Sequence, residues 1–149
     1  MIEPLRLDLD LRCDAEHAFD VWTRCTTTWW PVSHTVSGAD GLAVTIEPFV
    51  GGRIYERTPD GTEHDWGEVT VWDPPARLGY RWHLRRTPAD ATDVLITFAP
   101  TDDGGCHVTI DHRGWERLGD DGRGWRDANR GGWGGLLPHY VEAADPAPR

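Results

Sequence analysis

The chain's clearest chemical groups are His112, the carboxylates Glu47, Glu56 and Glu63, three cysteines and an unusual number of tryptophans. His112 follows Val108 and Ile110 at alternate positions, so it belongs to the apolar face of a strand. There it either donates to a ligand carbonyl or is a satisfied core histidine. The three glutamates could serve as acid–base groups at a pocket mouth. A buried carboxylate needs neighbours that tune its pKa, so exposed surface is the expected place for them. Cys13, Cys25 and Cys106 are widely spaced. Cys13 and Cys25 flank about three helical turns, roughly 15 Å and beyond disulfide reach. Reduced thiols of a cytoplasmic protein are therefore expected. Of the seven histidines, none stands at metal-ligand spacing from a second histidine or a cysteine. His64 and Asp65 are adjacent and point to opposite faces of a strand. No nucleophile elbow, P-loop or dinucleotide fingerprint is present. Gly51-Gly52 reads as a bulge or strand bend, because no helix follows to receive a phosphate. Arg81, Arg85 and Arg86 read as a solvated face. Neither a metal nor a cofactor is expected.

Composition narrows the partners. The 149 residues carry 25 acidic and 15 basic side chains, a formal charge of −10. All the basic residues counted there are arginines, and lysine and glutamine are absent. This balance argues against nucleic acid and anionic membranes, both of which need a basic footprint. No apolar run approaches the length of a membrane span. The opening Met1-Ile2-Glu3-Pro4-Leu5 has neither the basic nor the apolar segment of a targeting peptide. One domain over residues 1–149 is expected, in a cytoplasmic protein. The nine tryptophans are the outstanding feature.

The elements that must position these groups follow from periodicity. Leu5, Leu7, Leu9 and Leu11 alternate with charged residues and predict a strand. Asp14 can cap a helix whose face is Ala15, Ala18, Phe19 and Trp22. Thr26, Thr27 and Thr28 could cap a second, short helix carrying Trp29 and Trp30 and ended by Pro31. About six strands follow. Their markers are Leu42 to Ile46, Arg53 to Glu56, Trp66 to Trp72, Leu78 to Leu84, Val94 to Phe98 and Val108 to His112. Thr58-Pro59-Asp60-Gly61 and Asp102-Asp103-Gly104-Gly105 are turns, and Asp73-Pro74-Pro75 stops a strand. From about Gly122 to Ala144, Trp125, Asn129, Trp133, Leu136 and Tyr140 form one helical stripe, weakened by Gly131, Gly132, Gly134, Gly135 and Pro138. The predicted fold is α+β: a curved antiparallel sheet wrapped around a long C-terminal helix, with two short helices after the first strand.

These motifs resemble a known family. Trp29-Trp30-Pro31, Gly51-Gly52-Arg53-Ile54-Tyr55-Glu56, Trp66-Gly67-Glu68-Val69, Asp73-Pro74-Pro75 and His112-Arg113-Gly114-Trp115 occur in the order seen in bacterial proteins of the Hsp90-ATPase-activator-homologue type. Those proteins belong to the START-like, helix-grip superfamily, also called SRPBCC. The resemblance runs from Leu5 to about Tyr140 and implies the helix-grip fold. It leaves function open, because the superfamily spans lipid carriers, receptors and polyketide cyclases. Enediyne self-resistance proteins of the calicheamicin type are similar at Trp29-Trp30-Pro31, at Gly51 to Glu56, at Glu63-His64 with Gly67, and at His112, Trp115, Arg117 and Gly119. That resemblance would imply sacrificial hydrogen abstraction from a glycine, with Gly114 and Gly119 as candidates.

The leading expectation is binding of a hydrophobic or polycyclic small molecule between sheet and helix, without turnover. The pocket would be lined by Trp30, Tyr55, Trp66, Trp82, His112, Trp115, Trp133 and Leu136. Self-sacrificing antibiotic resistance, a cyclase and, least of all, a co-chaperone domain are the alternatives. A monomer or homodimer is expected, with Trp29 and Trp30 as a dimer contact if both are exposed.

Overall fold

The computed structural model describes residues 2–145. Among the described residues there are seven strands, three α-helices and three 3-10 turns. The leucine alternation gives β1, Leu5–Leu11, with Leu5 and Leu11 buried and the intervening charged residues outward. Helix α1, Ala15–Thr23, starts where the Asp14 carboxylate accepts from the His17 N–H at 2.9 Å. Its apolar stripe buries Ala18, Phe19 and Trp22.

Helix α2 is a single turn, Thr26–Trp29, and its threonines do not cap it. Thr26 and Thr28 bond backwards instead, and Thr27 donates to the Val44 carbonyl of the strand that follows at 3.1 Å. The Thr26 hydroxyl donates to the Trp22 carbonyl at 2.5 Å, which satisfies an orphan carbonyl at the end of α1, and within α1 the Thr23 hydroxyl donates to the Phe19 carbonyl at 2.9 Å. Trp30, in an extended conformation before Pro31, ends the turn, and a 3-10 turn follows at Val32–His34.

The remaining strands are β2 (Ala43–Ile46), β3 (Arg53–Arg57), β4 (Glu63–Asp73), β5 (Arg77–Trp82), β6 (Thr92–Pro100) and β7 (Cys106–Arg113). They form one antiparallel sheet in the order β1-β7-β6-β5-β4-β3-β2. The chain leaves one sheet edge after β1, crosses through α1 and α2 to the other edge, and returns by successive hairpins to pair β7 with β1.

Curvature comes from β4. The register between β3 and β4 passes from Ile54↔Gly67 to Tyr55↔Asp65, leaving Trp66 as an extra residue, and Thr70 is extra against β5. At Gly67 the neighbouring strand comes so close that a Cβ would lie 1.9 Å from the Arg81 carbonyl oxygen. Gly51 and Gly52 are not in a bulge. They close the loop between β2 and β3, where a Cβ on Gly52 would meet the Glu47 carbonyl at 2.6 Å. Nor does β5 reach Leu84: the strand ends at Trp82, and Arg85 turns the chain with φ of 64°.

Helix α3, Gly122–Ala144, continues through Pro138. Packing holds it despite its glycines. Trp133, Leu136, Leu137, Tyr140 and Ala144 are buried, and the Tyr140 hydroxyl donates to the Ala18 carbonyl of α1 at 2.6 Å. The Tyr140 ring meets Trp22 edge-on at 4.6 Å. Aromatic contacts then run from Trp22 to Trp29, Trp30, Trp66 and Trp82, with centroids 4.9–5.7 Å apart. Such pairs contribute about 0.5–1.5 kcal/mol each beyond area burial. No helix among the described residues is long and apolar enough to cross a membrane.

Candidate functional site

Along α3 the burial of the stripe changes. Trp133, Leu136 and Tyr140 are buried, whereas Asn129 and Trp125, one and two turns before Trp133, are only half covered. The sheet has ended there, and a cavity of about 300 Å³ lies between α3, the end of β5 and the Trp30–His34 segment. Trp30, Trp82, Trp125 and Trp133 wall it together with Leu84 and Leu136. Ser33, His34, Arg85, Asn129 and Gly132 supply its polar groups. A larger and more open groove of about 710 Å³ runs between α1, β2 and the end of β4, bordered by Glu16, Asp20 and Arg24 as well as Phe19 and Trp72. The smaller cavity has the concave, aromatic lining with few polar groups that suits a small molecule.

The cavity wall is held from behind by a hydrogen-bonded relay. His112 is fully buried on β7. The Trp133 indole N–H donates to its Nδ1 at 3.1 Å. An indole nitrogen only donates, so Nδ1 is unprotonated and the ring proton is on Nε2. Nε2 then donates to the Thr92 hydroxyl at 2.6 Å, and that hydroxyl donates on to the Trp82 carbonyl at 3.3 Å. The Trp115 indole N–H donates to the His112 carbonyl at 2.9 Å, with its ring 4.2 Å from the imidazole. Burial pushes the His112 pKa down to about 3, against a small opposing effect of Asp111. A neutral histidine fully buried and outside the cavity lining neither contacts ligand nor transfers protons to it. It orients Trp133 and ties it to the strand that carries Trp82.

The eight residues expected at the pocket therefore separate. Trp30, Trp82, Trp133 and Leu136 line the cavity. Trp66, His112 and Trp115 are fully buried and outside its lining, with Trp66 packed against Trp30 and Trp82. Tyr55 is on the outer face of the sheet, beneath the Arg53 guanidinium at 4.2 Å, and does not belong to this wall. Trp29 is buried, so Trp29 and Trp30 do not form an exposed pair.

Glu56 takes the inward position instead of Tyr55. It is completely buried and is no surface charge. Its carboxylate accepts from the Val36 N–H at 2.5 Å, from the Ser37 N–H and hydroxyl at 3.0 and 2.5 Å, and from the Trp66 indole at 2.8 Å. Burial alone would raise its pKa. The hydrogen bonds from Ser37, Val36 and Trp66 together outweigh it and hold the pKa below the ordinary value. This is a structural anion that fixes the loop after the 3-10 turn. Glu47 and Glu63 are nearer the surface, where Glu47 accepts from the Arg53 N–H at 2.6 Å and Glu63 pairs with the Arg53 side chain at 3.2 Å.

Arg81 and Arg85 are exposed, as expected of a solvated face, but Arg85 is tied down and Arg86 is half-buried. Arg85 donates to the carbonyls of Ser33 and Thr35 at 2.9 Å each. Arg86 lies over the Trp125 ring at 5.0 Å. The two pin the β5–β6 loop to both sides of the cavity mouth. Gly114 and Gly119 are outside the lining. Gly114, with φ of 96°, is buried against the Arg117 guanidinium, and Gly119 is exposed. Among the described residues no cluster of side chains is arranged to hold a metal.

A curved antiparallel sheet gripping one long helix, with the cavity between them, defines the helix-grip class. Within it, the chain belongs to the family described as Activator of Hsp90 ATPase homolog 1-like proteins, whose model matches residues 12–142. Among solved structures it is similar to Txn09, an anthrahydroquino-γ-pyrone synthase, at 34% identity over 95% of this chain and 97% of that one, with a TM-score of 0.65. It is also similar to CalC, a self-sacrificing resistance protein from Micromonospora echinospora, at 25% identity over 95% of this chain and 94% of that one, with a TM-score of 0.74. A dimeric Aha1 from Colwellia psychrerythraea shares the fold at 14% identity over 98% of each chain, with a TM-score of 0.70. No curated protein sequence matches the chain.

Proposed function

We propose that this protein binds a planar, polycyclic aromatic small molecule in the cavity between α3 and the end of β5, without turnover. The observation that carries the reading is the convergence of Trp30, Trp82, Trp125 and Trp133 on one void of about 300 Å³. Indole faces are broad, rigid and electron-rich, so they stack on flat rings at little entropic cost. Among the described residues the indole N–H groups of Trp29, Trp30, Trp66, Trp115 and Trp133 are occupied by protein acceptors. Among the described residues the cavity-lining Trp82 and Trp125 have no such acceptor. The similarity to a synthase of an anthrahydroquino-γ-pyrone supports a ligand of this class. Tryptophan emission titrated with hydroxyanthraquinones and other polycyclic aromatics tests it. Saturable one-to-one quenching supports the reading; no saturable change with any of them removes it.

A ring-closing enzyme on such a molecule is a second reading, favoured by the 34% identity to the synthase. New products of unchanged mass from an aromatic precursor would establish it. A third is sacrificial resistance, favoured by the likeness to CalC. Of the two candidate glycines, the exposed Gly119 is more accessible than the buried Gly114, and intact-mass analysis after exposure to an activated enediyne decides whether the chain is cut.

A further inference from the structure

His34 was not among the expected site residues, yet it is the histidine in the cavity lining. Its Nε2 is 3.2 Å from the Gly132 carbonyl oxygen of α3. A carbonyl only accepts, so Nε2 carries the proton and Nδ1 holds the free lone pair. Nδ1 is 3.1 Å from the hydroxyl of Ser33, which also lines the cavity and donates to it. The imidazole is thus oriented by the Gly132 carbonyl, and its basic nitrogen stands beside a rotatable hydroxyl at the cavity lining. That is the arrangement expected of a working base.

The charge around it has one sign. Arg85 is the charged side chain lining the cavity beside His34, and its guanidinium is fixed by the Ser33 and Thr35 carbonyls. The lining contains no carboxylate. In a chain of net charge −10, this is a local environment suited to an anion.

Resting on the binding reading above, we infer that the ligand carries an acidic hydroxyl, a phenol or an enol on its aromatic edge, and that His34 takes its proton. The O–H bond of the ligand breaks, an N–H bond forms at Nδ1, and the products are an aromatic oxyanion and an imidazolium. Arg85 stabilises the oxyanion, and Ser33 turns its hydroxyl from Nδ1 to the new oxyanion. No other reactant is consumed.

The test uses 2-hydroxyanthraquinone, whose visible band moves to longer wavelength when its phenol ionises, with the full chain. Bound to the native protein, the dye ionises at least one pH unit below its free value, a tenfold change in the ionisation constant. In H34Q, which preserves side-chain size but cannot accept the proton, the dye still quenches tryptophan emission and the shift falls at least tenfold. S33A keeps the imidazole but loses the hydroxyl's share, so the shift shrinks without vanishing. A dye that binds without a shift, a shift unchanged in H34Q, or a shift lost in S33A overturns the role of His34. A dye that quenches nothing in the native protein defeats the binding reading itself, and this inference with it.

Discussion

The indole N–H of Trp133 donates to Nδ1 of His112 at 3.1 Å, joining the helix that walls the cavity to the strand beneath it. That bond fixes the histidine tautomer, and the tautomer fixes the rest of the relay through Thr92 to the Trp82 carbonyl. Two cavity tryptophans are thereby positioned by one buried imidazole. Replacing it leaves polar partners buried without an acceptor or donor, each costing about 1–3 kcal/mol. His112→Phe is expected to lower the unfolding free energy by about 3 kcal/mol in a denaturant titration. A loss below about 1 kcal/mol would show that the relay is incidental.

The same imidazole makes stability depend on pH. Its folded pKa, about 3, lies below the ordinary 6.5, so the unfolded chain binds the proton more readily between these values. The stabilisation from the neutral histidine is complete above about pH 6.5 and lost as pH falls toward 3. The slope in that window approaches one proton, roughly 1 kcal/mol per pH unit. Glu56, with its pKa lowered, adds a further loss only at more acidic pH. Native and His112→Phe proteins compared between pH 6.5 and 5 separate the two: the slope belongs to the native chain and flattens in the variant.

Glu56→Gln tests the buried carboxylate. Four donors converge on it, from Val36, Ser37 twice and Trp66. An amide has a single acceptor oxygen and places an NH₂ group against donors. A loss of about 2 kcal/mol is expected, with a changed emission spectrum from Trp66. Unaltered stability would mean the carboxylate is already protonated in the fold, contrary to its depressed pKa.

Periodicity made most of this fold legible. The alternation in β1, the Asp14 cap, the two turns and the bounds of α3 all follow from local rules, and so does the stripe from Trp125 to Tyr140. Of the cavity lining, Trp133 and Leu136 were legible from the stripe and Trp30 and Trp82 from their aromatic type. Tyr55 and Glu56 show where type fails. Chemical type suggested the aromatic inward and the carboxylate outward, but Ile54 faces the core, and a period of two brings Glu56 in with it and turns Tyr55 out. The carboxylate is tolerated because a loop more than fifteen residues earlier supplies its donors, which no local pattern reveals. His34 stands in a three-residue turn that has no periodicity. Arg85 is at the surface as its sequence suggests, but its bonds to the Ser33 and Thr35 carbonyls depend on the positive φ at which the chain turns, which no local pattern reveals.

The central claim is occupancy of the tryptophan-walled cavity, and Gly132 gives direct access to it. It lines the cavity, and a Cβ there meets nothing within 4 Å. Gly132→Leu is expected to stabilise α3 by roughly 0.5–1 kcal/mol on helix propensity while filling the void. Calorimetric titration of 2-hydroxyanthraquinone into both proteins is the measurement. One-to-one binding to the native chain, weakened at least tenfold in a Gly132→Leu variant that is as stable or more so, is the predicted result. Equal affinity in the two, or no saturable binding to the native chain, would contradict it.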